Sequence, residues 1–345
     1  MQTEAMVLRT HGGPEVLVRE AIDVPDPGAR EVVVRVRAVA LNHLDLWVRR
    51  GMRHLKLTYP HRLGADVVGE VWAIGPGARG AAVGQRVVLS PGVSCGVCEK
   101  CLSGHDNLCR RYGIRGEHVQ GGYARYVVVA DDELLPYPEG LPFTQAAAVP
   151  LVFLTAWQML VDKAKVKPDE TVLVHAAGSG VSTAAIQIAK LHGARVIAAA
   201  GGAAKTERAL ALGADHVIDS KTQDFVAEVK RLTDKRGADV IIEHVGGDVM
   251  AKSVLAVAAG GRIVTCGATD GFEPAIDLRH VFARQIAILG STMGSRGSLF
   301  GILEHVRAGR LRPVVDRVLP LWDAGEAHRV LEAREAVGKV VLEVD

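Results

Sequence analysis

Cys95-Gly96-Val97-Cys98-Glu99-Lys100-Cys101, followed by Cys109, is the densest group of chemistry-bearing side chains in this 345-residue sequence. Its C-x2-C-x2-C-x7-C spacing brings four soft thiolates within reach of one tetrahedral Zn2+. Four thiolates complete that shell and leave no position for water or substrate, so the reading is one structural zinc per chain, in a lobe from about residue 92 to 112. The fifth cysteine, Cys266, stands alone in an apolar, strand-like segment and reads as a small buried hydrophobe. This distribution is unlike a disulfide framework.

A second candidate is the run Ala176-Ala177-Gly178-Ser179-Gly180-Val181-Ser182, which follows the apolar segment Thr171-Val172-Leu173-Val174. Val181, Ala184, Ala185, Ile188 and Leu191 then recur at helical spacing, and Gly193 supplies a stop. Small residues at a strand-to-helix turn let the backbone approach a pyrophosphate, whose charge is stabilised by the unpaired amides of the helix N-terminus. A strict G-x-G-x-x-G carries three glycines, whereas Ala177, Ser179 and Ser182 occupy those places here. About twenty residues on, where an NAD site usually carries a carboxylate for the ribose hydroxyls, the next strand ends in Ala200-Gly201-Gly202. Lys205, Thr206 and Arg208 follow. The missing acid and the nearby cations predict NADPH in preference to NADH.

These groups need elements to hold them. Residues 1 to about 130 carry β-branched runs such as Glu31–Arg37 and Arg86–Leu89, punctuated by Gly and Pro turns, and predict mostly antiparallel β structure. From about 150 to 290, apolar strands starting at Thr171, Arg195, His216, Asp239, Arg262 and Ile286 alternate with helical patterns, the signature of a doubly wound parallel sheet. The expected domains are therefore 1–150, catalytic and mostly β; 151–290, dinucleotide-binding; and 291–345, a return segment ending in the strand-like Gly338–Val344.

Lys and Arg total 41 against 39 Asp and Glu, a formal net charge of +2, with no long like-charged block to attract nucleic acid. No stretch reaches the ~18 uninterrupted apolar residues of a membrane span, and the N-terminus lacks a signal-peptide pattern. The expectation is a cytoplasmic protein with neither membrane nor nucleic-acid partners.

Together with Ala40-Leu41-Asn42-His43-Leu44-Asp45, Gly64-Ala65-Asp66-Val67-Val68-Gly69-Glu70, Ala146–Pro150 and Thr155-Ala156-Trp157, these features resemble the medium-chain dehydrogenase/reductase superfamily. The resemblance is to its zinc-containing alcohol dehydrogenases and its quinone oxidoreductases. It implies a GroES-like catalytic domain, a Rossmann domain, reversible hydride transfer to or from a nicotinamide, and a homodimer or homotetramer paired through the edge at Ile286–Leu289. The family's catalytic-zinc ligand places correspond to Asn42, Ala65 and Leu151, none of which can replace a conventional ligand. Asp66 stands at the place of the glutamate in the Gly-His-Glu triplet.

The resemblance also supplies candidate roles. Asn42 and His43 would polarise or position a substrate, Thr155 would pack near the nicotinamide, and Asp66 would order a polar network or relay protons. Gly178, Ser179, Gly180, Val181, Ser182, Thr155, Ala200 and Lys205 are the expected cofactor contacts. The preferred reading is an NADPH-dependent reductase of quinones or α,β-unsaturated carbonyls. A zinc-type alcohol dehydrogenase or aldehyde reductase, with an irregular metal site using Asp66 and His43 or His61, is the second. A noncatalytic NADPH-binding sensor or scaffold is the third.

Overall fold

A computed structural model describes every residue except His54. The chain divides into two compact units, one comprising Met1–Leu151, Ser295–Gly309 and Pro313–Asp345, the other Val152–Gly294 and Arg310–Arg312.

The first unit is built on a seven-stranded sheet ordered Val315–Pro320, Lys339–Glu343, Glu31–Ala40, Asp66–Ile74, Arg86–Leu89, Leu134–Pro136, with Tyr126–Ala130 also paired to Glu31–Ala40. Only the pair Val315–Pro320 with Lys339–Glu343 is parallel; the rest are antiparallel. Val32, Val34, Val36 and Val39 from the longest strand pack with Val67, Val71, Val87, Leu89, Val127, Val340 and Leu342 into one buried cluster. β-Branched side chains suit this surface because their χ1 restriction costs little on a pleated strand. One point of register governs the site: Ala40 lies opposite both Asp66 and Val341. With strands running antiparallel, Asn42 is thereby aligned with Lys339 at the ends of their strands.

The second unit holds six parallel strands ordered His216–Asp219, Arg195–Ala200, Thr171–Val174, Ala238–Glu243, Val257–Thr265, Ala287–Gly290. In chain order this is 3-2-1-4-5-6, the doubly wound arrangement expected from the alternating pattern, with a switch point beside Thr171–Val174. That strand is buried along its whole length, as a sheet covered on both faces requires. The fifth strand begins at Val257 rather than at Arg262: Val257 pairs with Ala238, and regular pairing resumes with Arg262 opposite Val240. Gly260, at φ +71°, takes up the irregularity that made Gly260-Gly261 read as a break.

One helical stretch, Phe143–Lys163, is long and apolar enough to cross a membrane by length and composition, although no uninterrupted apolar run reveals it. Its apolar window is 78% buried inside the protein, as a core helix is.

A polar network is sealed within the first unit. The fully buried His328 accepts at Nδ1 from Arg49 Nη1 at 3.0 Å, which leaves the proton on Nε2 to donate to Tyr123 Oη at 3.0 Å. Burial first, then the positive charges of Arg49 and Arg50, holds the imidazole down to about 3. In the unfolded chain it takes up a proton near pH 6.5, so the unfolded state binds more protons between these values and stability is lost as pH falls. His328→Gln is expected to be weaker at pH 7.5 but to lose about 2 kcal/mol less between pH 6.5 and 4.5. Urea unfolding across that range measures the difference; parallel curves would remove His328 as its source.

Candidate functional site

Asn42, Asp66 and Lys339 form a closed polar triangle at the strand ends of the first unit. The Lys339 ammonium donates to Asn42 Oδ1 at 2.6 Å and to Asp66 Oδ2 at 2.8 Å, and Asn42 Nδ2 donates to the same Asp66 oxygen at 3.0 Å. The other Asp66 oxygen accepts the backbone N–H of Leu151 at 2.7 Å. Asp66 is 0% and Lys339 3% exposed. Each member is the first or last polar group of an element: Asp66 opens Asp66–Ile74, Lys339 opens Lys339–Glu343, and Asn42 caps the helix His43–Arg50.

The cap is itself part of the site. Asp45 Oδ2 accepts Asn42 N at 2.7 Å and Asp45 Oδ1 accepts Gly64 N at 2.9 Å, a capping-box contact that fixes the Asn42 backbone. Burial pushes the Asp45 carboxyl up to about 6 against the pull of these two N–H groups. His43 stands beside the triangle; burial first, then Arg334, Lys339 and Arg50, holds it down to about 4, so it is neutral at pH 7. His61, by contrast, is tied elsewhere, with Nε2 3.0 Å from Gly116 O.

The three places of the catalytic-zinc ligands thus carry an amide already bonded at both ends, an alanine methyl and a leucine. Of the carboxylates beside them, Asp66 is bonded to the Lys339 ammonium and Asp45 to the backbone N–H groups of Asn42 and Gly64. This donor set does not fit a metal ion, which requires free lone pairs and is repelled by the resident cation.

The cysteines do fit one. Among the described residues they are the group of potential metal ligands that converges, with all four Sγ atoms within 4.8 Å of one another. Cys98–Cys101, Cys95–Cys109 and Cys95–Cys101 lie 3.5, 3.6 and 3.8 Å apart at sulfur. A tetrahedron with Zn–S near 2.3 Å has edges of about 3.8 Å, whereas a disulfide is about 2.05 Å long. Arg111 N donates to Cys109 Sγ at 3.3 Å, as backbone amides do to metal thiolates. Asp106 Oδ1 in the same lobe accepts Arg296 N at 2.9 Å, tying it to the helix Arg296–Arg307.

In the second unit, Gly178 to Ser182 form the turn between Thr171–Val174 and the helix Gly180–Leu191. Ser179 caps that helix, its Oγ accepting Ser182 N at 3.1 Å. Ser182, at the third glycine place, is fully buried and donates through Oγ to His175 O at 2.6 Å. His244 Nε2, just past Ala238–Glu243, lies 2.9 Å from Ser182 Oγ and 3.3 Å from Ser179 Oγ. The pattern reading missed His244 because it lies 62 residues from Ser182 in sequence. The Lys205 stem lies against this turn: a Cβ on Gly178 would stand 2.8 Å from Lys205 Cδ.

Ala200, the expected ribose contact, is buried at its strand end, opposite Asp219 of the adjacent strand. This amends the reading that no carboxylate is available there. Asp219 Oδ1 accepts the backbone N–H of Gly202 at 3.1 Å and that of Lys221 at 3.0 Å, so the acid is turned into the turn itself. Lys221 also reaches the turn, its Nζ 3.8 Å from where a Gly202 Cβ would be. Thr155 is buried in the helix Pro150–Trp157, in the part that belongs to this unit.

Comparison with known proteins agrees with both halves. Residues 28–139 match the alcohol dehydrogenase GroES-like domain and residues 180–308 the zinc-binding dehydrogenase domain. A solved structure described as an NAD-dependent alcohol dehydrogenase is 55% identical, with a TM-score of 0.97 over 99% of this chain and 100% of that one. The quinone oxidoreductase of Homo sapiens is 30% identical over 96% of this chain and 94% of its own length. The NAD-dependent alcohol dehydrogenase of Sulfolobus acidocaldarius is 30% identical over 99% of both chains.

Metal analysis of the purified protein should find about one zinc per chain, and Cys98→Ser should lower it toward zero together with the melting temperature. Zinc that stays stoichiometric in the variant would place the metal elsewhere.

Proposed function

The chain belongs to the zinc-containing alcohol dehydrogenase family of the medium-chain dehydrogenase/reductase superfamily and is an oxidoreductase, and within that family we propose that it reduces quinones or α,β-unsaturated carbonyl compounds with NADPH. The observation that carries this is the Asn42–Asp66–Lys339 triangle, in which Asn42 stands at one catalytic-zinc ligand place and Asp66 beside the other two, Ala65 and Leu151. Alcohol oxidation requires a hydroxyl proton to leave, and a bound metal makes that possible near neutral pH. Reduction of a conjugated system asks less, because charge developing on a carbonyl oxygen can be held by hydrogen-bond donors.

A bound reduced nicotinamide supplies the hydride. The turn from Gly178 to Ser182 receives the pyrophosphate through the amides of the helix Gly180–Leu191. Thr155 is assigned to the nicotinamide end and Ala200 to the adenosine ribose. Asn42 and His43 set the substrate end, His43 acting as a neutral imidazole. Asp66 holds the network that fixes them. The structural zinc holds the cysteine lobe and takes no chemical part. Thiolate ligands of this kind suit a reducing, cytoplasmic setting.

NADPH is favoured by the small Ala200-Gly201-Gly202 end and by the two lysines that approach it. Lys205→Ala should weaken NADPH binding about five- to a hundredfold with NADH nearly unchanged, the loss of one charged hydrogen bond. Ala200→Asp should shift preference toward NADH. Equal losses for both cofactors would assign Lys205 to the fold.

The alcohol dehydrogenase reading rests on the description of the 55% identical structure. Assays with 1,4-benzoquinone, cinnamaldehyde and primary alcohols decide: quinone or enone turnover with one zinc supports the reductase, whereas chelator-sensitive alcohol oxidation with two replaces it.

For assembly, we propose pairing of two copies through the Ala287–Gly290 edge. That strand ends the sheet, and Ile288 and the nearby Phe282 are 40% and 70% exposed. Sedimentation should find a dimer or a dimer of dimers, and Ile288→Lys should dissociate it; a wild-type monomer would refute the pairing.

A further inference from the structure

Ser182 is fully buried where a dinucleotide-binding turn usually has its third glycine, and its hydroxyl has one proton to share among three neighbours. That proton goes to His175 O, at 2.6 Å. Ser182 Oγ therefore accepts from the other two, from the Ser179 hydroxyl at 3.0 Å and from His244 Nε2 at 2.9 Å, which fixes the proton of the neutral imidazole on Nε2. With its own proton committed to Ser182, Ser179 Oγ keeps a lone pair for the backbone N–H of Ser182, at 3.1 Å. That cap takes the third amide of the helix Gly180–Leu191 and leaves the first two, of Gly180 and Val181, with no acceptor in the helix. His244 is itself held firmly. Glu243 Oε1 accepts Val245 N at 2.7 Å and Gly246 N at 2.9 Å, and His244 O accepts Thr269 N at 3.3 Å. The ring thus reaches the turn from a backbone secured on both sides.

We infer that His244 is a positioning residue for the cofactor: its Nε2–H locks the Ser182 and Ser179 hydroxyls to each other, and this keeps the Gly180 and Val181 amides available to a pyrophosphate. A glycine-rich turn reaches that state through backbone freedom, whereas this one has two serines whose hydroxyls could turn toward those amides and compete for them. The donor from His244, 2.9 Å from Ser182 Oγ and 3.3 Å from Ser179 Oγ, removes that competition. The inference rests on the assignment of the pyrophosphate to this turn, and is independent of the substrate and of the choice between NADPH and NADH. The ligand group concerned is the diphosphate that NADPH, NADH and ADP-ribose share.

Equilibrium titrations of the zinc-loaded protein with ADP-ribose and with adenosine separate this role from a structural one. His244→Leu keeps the bulk of the ring and removes its donor. It should weaken ADP-ribose, NADPH and NADH alike, about 10- to 100-fold, while adenosine, which lacks the diphosphate, stays within about twofold of the wild type. His244→Gln, whose amide can still donate to Ser182, should restore ADP-ribose binding to within about threefold. In the Ser182→Gly background, where the third glycine is restored, His244→Leu should cost less than about threefold, because the two residues act as one unit. If His244→Leu does not fold, His244→Asn, too short to reach Ser182, takes its place with the same expected loss. No loss on removing the donor, an equal loss for adenosine, or a loss undiminished in the Ser182→Gly background overturns the inference and leaves the pyrophosphate assignment standing. A wild type that binds ADP-ribose no better than adenosine overturns that assignment, and the inference with it.

Discussion

A lysine that is 3% exposed stays charged only where other groups offset the loss of water, and here a carboxylate and an amide oxygen do so. Much of the first unit is arranged around that requirement. The sheet places Ala40 opposite Asp66 and Val341, so that three strand ends deliver one polar group each to the same point. The capping box of Asn42 and Asp45 fixes the turn that follows, and Leu151 N occupies the last free Asp66 oxygen. The polar atoms of Asn42 and Asp66 are thus all engaged within the protein, with an ammonium among them.

The second unit meets a different constraint, the tight turn from the strand Thr171–Val174 into the helix Gly180–Leu191. The usual solution is a glycine at each of three places, of which the third lets the helix pack on the strand. Ser182 occupies that third place with its hydroxyl donating to His175 O, so the added atom is bonded rather than crowded. His244 then joins Ser182 and Ser179, linking the turn to the fourth strand in chain order. The turn is held by side-chain hydrogen bonds where a glycine-rich one relies on backbone freedom. Strict glycine spacing is thus one physical solution among several.

What could be read from the sequence divides along the range of the interactions. The four cysteines lie within fifteen residues, so their spacing alone announced a closed tetrahedral site, and the sulfur separations agree with it. Alternation of apolar strands with helical patterns announced the doubly wound sheet, because a strand covered on both faces has to be apolar throughout. Capping residues and turn glycines act within a few positions. Even here one boundary moved, since the Gly260-Gly261 irregularity looks the same in sequence whether it interrupts a strand or precedes one.

Asn42 and Asp66 could be singled out by resemblance, but their partner could not. Lys339 lies 297 residues from Asn42, and nothing in a lone lysine at the start of a C-terminal strand distinguishes a buried ion pair from a solvated surface charge. The same holds for Asp219, which reaches Gly202, and for His244, which reaches Ser182, because adjacent parallel strands set them there. The sequence by itself determined the elements, the metal lobe and the absence of conventional catalytic-zinc ligands, all of which depend on local spacing and residue type. Tertiary structure alone decided which charge stands in their place, because a polar group's role depends on what its unsatisfied donors and acceptors meet across strands, and that register is settled by the packing of the whole sheet.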